Sequence, residues 1–254
     1  MQITRFERGL RDRVAIVTGA AVGSGRAFCE RLAEEGAHLV IADLSPATET
    51  EEAVRAIGGK VISVTGDMTK PEDVERVVSA AIEHFGRVDI LVHNVGYYHE
   101  EPFDLLSFSE WKRTLDVTLD SLFHVVRGVL PHMKRAGFGR IITFSSDTVW
   151  LGTPYLVHYV TAKMGVIGFT RSLAAEVGSY GITINTITVG LTATQSVGMS
   201  AEMRPLLESI LPTQAVHRAD EPEDIANVVA FLALPASGII TGQTINVDGG
   251  VARH

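Results

Sequence analysis

Seven short apolar runs recur along the chain, separated by longer stretches with helical periodicity or turn residues. They are Val14 to Thr18, Leu39 to Ala42, Val61 to Val64, Ile90 to His93, Ile141 to Phe144, Ile182 to Ile187 and Thr244 to Val247. Within each run both alternating sets of positions are largely apolar. That pattern suits strands of a parallel sheet covered by helices on both faces. The intervening stretches carry helix-start signals. Thr69-Lys70-Pro71-Glu72 reads as a capping box with proline near the start, Ser107 to Glu110 as another, and Asp220 as a cap for the segment opening Glu221-Pro222-Glu223. Strand–helix alternation repeated this often implies right-handed βαβ units and a single doubly wound α/β domain of Rossmann type, with a central parallel sheet of about seven strands. Ligands of such sheets sit at the carboxyl ends of the strands.

Composition narrows the function. The 254 residues are 46% apolar and 20% charged, enough to bury a sizeable core. No linker or internal repeat divides them, so one domain over 1–254 is expected, with a cofactor half of about 1–145 and a catalytic and substrate half of about 146–254. Lys and Arg number 22 against 30 Asp and Glu, a net charge of −8, which argues against nucleic-acid or anionic-membrane partners. The lone Cys29 excludes an internal disulfide and a multi-cysteine metal site, and no metal is expected. With no long apolar window and no secretory leader at the N-terminus, a cytoplasmic protein is expected.

The first strand runs into Thr18-Gly19-Ala20-Ala21-Val22-Gly23-Ser24-Gly25, and a helical pattern follows. Glycines permit a tight turn and close backbone approach. A helix N-terminus then offers free N–H groups and partial positive charge to a pyrophosphate. The spacing is G-x-x-x-G-x-G rather than the commoner G-x-G-x-x-G. The second strand ends in Asp43, about 20 positions on, where a carboxylate accepts hydrogen bonds from a ribose diol and repels a 2′-phosphate. Asp43 therefore favours NAD over NADP, unless it is a turn residue. Asp67, after the third strand, is placed either to meet the adenine with Met68 or to cap the loop before Thr69. At the other end, Tyr159 and Lys163 are four apart and share a helix face. A phenol is a poor base at neutral pH, and a neighbouring ammonium favours its ionised form. Lowering its pKa by three units takes about 4 kcal/mol of differential interaction. Ser146 ends the fifth strand, thirteen residues before Tyr159, where a hydroxyl can bond a substrate oxygen or serve merely as a loop cap.

These pieces, taken together, resemble the short-chain dehydrogenase/reductase family over essentially the whole chain. The resemblance rests on Thr18–Gly25, Asp43, His93-Asn94-Val95-Gly96, Ser146, Tyr159 with Lys163, Asn185, Gly190, Ile240 to Thr244 and Val247 to Gly250. It implies Tyr159 as general acid/base, Lys163 as the group that lowers its pKa and binds the nicotinamide ribose, and Ser146 as the holder of the reacting oxygen. It further implies cofactor contacts from Gly19, Gly23, Ser24, Gly25, Asn94, Gly96, Val189, Gly190, Thr192 and Thr194, and a homotetramer. Four departures stand out, one of them Ser24 in place of the isoleucine usual in the glycine motif. Thr118 replaces an asparagine that helps hold a relay water beyond the lysine, so Thr118 is a candidate relay residue through its backbone carbonyl. His93 replaces the first of two asparagines, and Val189 replaces a proline.

The segments after the strand ends are aromatic and apolar: Tyr97, Tyr98, Phe103, Trp150, Leu151 and Tyr155, with Val197, Met199 and Met203 in a candidate lid. The expected substrate pocket takes Tyr97, Asp147, Trp150, Tyr155 and Met199. The stretches around Trp150–Lys163 and Val247–His254 are similar to the family's 1-phenylethanol dehydrogenase and pyridoxal dehydrogenase branch. The expected reaction is NAD(H)-dependent interconversion of a small aromatic or cyclic alcohol and its ketone or aldehyde. Two alternatives stand beside it: a β-ketoacyl carrier reductase, a group that usually prefers NADP, and a nicotinamide-binding protein with little turnover because of Thr118.

Overall fold

The computed structural model describes residues 9–193 and 208–253. Seven parallel strands form one sheet in the order β3-β2-β1-β4-β5-β6-β7. They are β1 (Val14–Thr18), β2 (His38–Asp43), β3 (Val61–Thr65), β4 (Ile90–His93), β5 (Gly139–Ser146), β6 (Ile182–Val189) and β7 (Thr244–Val247). All seven apolar runs are strands. β5 and β6 extend beyond their apolar runs, so that Ser145 and Ser146 still pair with Thr188 and Val189.

Strand residues alternate between two cores. Ala15, Val17, Leu39 and Ile41 face Phe28 and Leu32 of α1 (Gly23–Glu34) and Val229 and Leu232 of α8 (Pro222–Ala233). Val14, Ile16, Val40 and Leu91 face α3 (Pro71–Phe85), α5 (Ser121–Ala136) and α7 (Val157–Val177) through Val77, Val125 and Val166. α2 (Thr48–Ala56) follows β2, α4 (Phe108–Leu115) leads through a π-helical turn over Asp116–Asp120 into α5, and the short α6 (Thr148–Leu151) follows β5. The strand order reverses beside β1, where β1 lies between β2 and β4. That switch point opens the crevice in which such sheets bind ligands.

Two caps differ from the sequence expectation. Lys70, not Thr69, caps α3, because the Asp67 carboxylate takes both the backbone N–H and the hydroxyl of Thr69 at 2.9 and 2.8 Å. Glu221, not Asp220, caps α8, and its N–H donates to Asp224 at 3.0 Å. Ser107 does cap α4, accepting from the Glu110 N–H at 3.1 Å.

Candidate active site

The turn between β1 and α1 is built around its glycines. Gly19 and Gly23 have φ of +64° and +61°, a region that favours glycine. A Cβ at Gly25 would overlap the Gly19 carbonyl oxygen and come within 2.7 Å of Ala20 Cα. No side chain caps the first turn of α1, and no acidic residue lies in it. Its N–H groups and partial positive charge therefore suit a pyrophosphate. Asn94 donates to the Gly19 carbonyl at 2.8 Å, and the buried Thr50 hydroxyl to the Ala21 carbonyl at 2.8 Å. Asp43 accepts from Ala21 N at 2.9 Å and Ser45 N at 3.0 Å. It is thus the turn residue and, since each carboxylate oxygen accepts more than one bond, it keeps acceptor capacity for a diol.

Two lobes open on this crevice and share Asn94 and Gly96. One, of about 840 Å³, is lined by Asp43, Asp67, Met68, Tyr97 and Arg113 among others. The other, of about 200 Å³, is lined by Ser24, Tyr98, Tyr159, Lys163, Val189 and Thr192 among others. This two-lobed cleft, with Gly19 of the glycine turn lining one lobe and Ser24 the other, has room for a dinucleotide. Among the described residues, no cluster of three or more His, Cys, Asp or Glu side chains is arranged to hold a metal ion. No described helix is long and apolar enough to cross a membrane.

β5 and α7 bring Ser146, Tyr159 and Lys163 together. The Ser145 hydroxyl donates to the Lys163 carbonyl at 2.9 Å, pinning the helix to the strand. The Lys163 ammonium, itself buried, donates to the Phe144 carbonyl at 3.0 Å and lies 5.6 Å from the Tyr159 ring centroid. Burial lowers the Lys163 pKa to about 8. The Ser146 hydroxyl accepts from Thr148 Oγ1 at 2.9 Å and donates to Asp147 Oδ1 at 3.3 Å. Burial pushes the Tyr159 hydroxyl up to about 12, with Ser146 holding it down by hydrogen bonding and Asp147 pushing it further up. The lowering expected from Lys163 is therefore not seen in the protein alone, where desolvation wins. Asp147 is itself raised to about 6, by burial and then by Asp248.

The pocket residues expected from the sequence divide. Asp147 lies beside Ser146. Tyr97 lies in the larger lobe, under the Arg113 guanidinium at 4.3 Å. Tyr98 packs edge-on against Tyr159 with ring centroids 5.2 Å apart. Successive residues of an extended segment point opposite ways, and the sequence alone does not say which of two adjacent tyrosines faces the cavity. Trp150 donates to Asn246 of β7 at 3.1 Å, across to the sheet edge. Tyr155 is exposed, with φ of +64°. Gly190 lies beside Asp220, whose Oδ2 would be 2.8 Å from a Cβ there. Thr118 is buried in the π-helical turn, and its hydroxyl accepts the Tyr97 N–H at 3.1 Å. Thr194, Val197, Met199, Met203 and His254 lie outside the described residues.

A family model described as enoyl-(acyl carrier protein) reductase matches residues 19–252. The chain is 38% identical to the short-chain reductase protein NovJ of Streptomyces niveus, covering 94% of each. It is 36% identical to the 3-oxoacyl-[acyl-carrier-protein] reductase FabG of Vibrio cholerae, covering 95% of this chain and 98% of the relative. Among solved structures, a levodione reductase superposes with a TM-score of 0.89 at 31% identity, covering 94% of this chain and 97% of that one.

Proposed function

The chain belongs to the short-chain dehydrogenase/reductase family of oxidoreductases, and on that premise we propose that it is an NAD(H)-dependent enzyme interconverting a small aromatic or cyclic alcohol and its ketone or aldehyde. One observation carries the reading: Tyr159 and Lys163 line a cleft beside Ser146 at the carboxyl end of β5, and the second lobe of that cleft takes in Asp43. The glycine turn, Asn94, Gly96, Val189 and Thr192 would hold NAD, with Asp43 on the adenosine ribose. When bound, NAD+ supplies the acceptor for the hydride leaving the alcohol carbon. The Tyr159 oxygen takes the hydroxyl proton, and Ser146 donates to the same substrate oxygen. The Lys163 ammonium stabilises the ionised tyrosine. In the reducing direction Tyr159 returns the proton. The aromatic wall of Tyr98 suits a flat, uncharged substrate. Cytoplasmic location and a homotetramer complete the reading, the latter through an apolar groove of about 770 Å³ between α5 and α7.

A second reading, β-ketoacyl carrier reductase, is favoured by the FabG relative. One experiment separates the readings. NADH and NADPH oxidation are followed with acetophenone-type ketones, other cyclic carbonyls and a β-ketoacyl ester, with Tyr159→Phe in parallel. Turnover of an aromatic or cyclic ketone with NADH, lost by about 10²-fold or more in Tyr159→Phe, is expected. Turnover of the β-ketoacyl ester alone would overturn the substrate reading. Tight NADH binding without turnover of any carbonyl would leave a nicotinamide-binding protein.

A further inference from the structure

His93, the last residue of β4, is buried and uses both ring nitrogens. Nδ1 lies 3.1 Å from Thr18 Oγ1 and Nε2 lies 3.1 Å from Ser121 Oγ. The next bonds set the direction of these two. The Ser121 hydroxyl donates to the Val117 carbonyl at 2.6 Å, so its single proton is committed. It must therefore accept at the His93 side, which places a proton on Nε2. Thr18 Oγ1 accepts the Asn94 N–H at 3.2 Å, leaving its own proton for a bare Nδ1. Burial, and then the charge of Lys163, push the imidazole down to about 3, against a second proton.

This chain of bonds ends on the lysine's surroundings. Val117 and Thr118 belong to the π-helical turn Asp116–Asp120. π-turns disturb the regular helix ladder and occur often at functional sites. From the same turn Thr118 holds the Tyr97 N–H. The preceding Gly96 is packed so that a Cβ there would sit 3.3 Å from Lys163 Nζ. Leu119 lies over Gly165, two residues past the lysine, where a Cβ would meet Leu119 Cδ2 at 2.8 Å.

We propose that His93, as the neutral Nε2–H tautomer, is a positioning residue that ties the ends of β1 and β4 to the π-helical turn and so fixes the Lys163 ammonium. The inference rests on the reading that Lys163 serves the reaction. It also gives two of the departures from the family pattern, His93 and Thr118, one explanation. An asparagine at position 93 would match the reach of Nδ1 to Thr18 but fall one bond short of Ser121. The histidine spans both, and braces from behind a turn that carries threonine at position 118.

The test has two parts. In 15N-histidine-labelled protein, with the His93 signals assigned against His93→Asn, the ring should show one bare and one protonated nitrogen, the protonated one being Nε2. The pattern should not change between about pH 5 and 8, around the ordinary histidine pKa. An Nδ1–H tautomer, or titration in that range, overturns the proposal. In kinetics, His93→Asn and Ser121→Ala remove the same link. Each should lower kcat about three- to tenfold with KM for NADH changed less than about twofold, and the double variant should be no worse than either single one. Multiplicative losses, or unchanged kcat with a lower melting temperature alone, overturn it. If wild type turns over no carbonyl, the proposed function falls, and the tautomer alone decides this inference.

Discussion

The carboxyl of Asp147 opposes the ionisation that Tyr159 requires. It is buried, accepts from the Ser146 hydroxyl, and has its pKa raised to about 6 by burial and Asp248. Because the folded pKa lies above the ordinary value, folding favours the protonated carboxyl. That stability is fully present below pH ~4 and is lost as the pH rises through about 6. Asp147→Asn should therefore stabilise the protein by about 2–3 kcal/mol at pH 8 and by almost nothing at pH 4. Urea denaturation at the two values measures this, and an equal gain at both would show that charge is not the cause. With the opposing charge gone, the rise of alcohol oxidation with pH should also begin at lower pH. Asp43 makes a second prediction. It holds two backbone N–H groups, so Asp43→Ala should cost about 1–2 kcal/mol of stability as well as relax the preference for NADH over NADPH. A loss of stability with an unchanged cofactor ratio would leave it a turn residue only. The place of Asp43 at the end of the second strand is legible in the sequence, because it directly follows an apolar run. The strain on Asp147 is not, because Asp248 comes from the far end of the chain.

The strands are the most legible elements. The inner strands β1, β2 and β4 are runs apolar and buried on both faces, which leaves little freedom in register, whereas β3 and β7 at the sheet edges are only partly buried. The α3 cap is less legible: Thr69 has the right spacing, but Asp67 reaches its N–H and hydroxyl first. The π-helical turn has no sequence signal here. Asp116 to Asp120 reads as ordinary helix, and the turn shows in the Ser121 backbone N–H, which donates to the Asp116 carbonyl five residues back. The glycine turn is legible in residue type, and the structure supplies its tolerance. Gly25 abuts backbone, not a side chain that can move aside, so Gly25→Ala forces α1 away from the turn. A loss of about 3 kcal/mol and at least a tenfold weakening of NADH binding are expected, by urea denaturation and nicotinamide fluorescence. Wild-type binding in that variant would mean that the helix N-terminus does not meet the pyrophosphate.

Assembly is where the single chain leaves its apolar surface unexplained. Phe123 of α5 is 47% exposed and lines the groove with Val126, Leu130, Phe169 and Leu173, while Arg127, Lys134 and Glu176 stand around it. A two-fold interface sets one patch against itself, so where the patch is charged it needs both signs to pair with its own copy. This one carries both. In a homotetramer using this groove, Phe123→Asp places a carboxylate from each copy in an apolar contact, at a cost of several kcal/mol per interface. Light scattering on the eluting protein should then show a smaller species at micromolar concentration, with the fold retained. Gly168→Ala gives the complementary reading. Among the described residues, nothing beyond its own helix backbone lies within 4 Å of a Cβ there, so on a free helix face alanine should stabilise by about 1 kcal/mol. Against a second copy the added methyl has to find room, and the gain should shrink or reverse. A wild type that elutes as a monomer, with Gly168→Ala gaining its full increment, would remove the groove from the assembly and leave the α5–α7 face open to solvent.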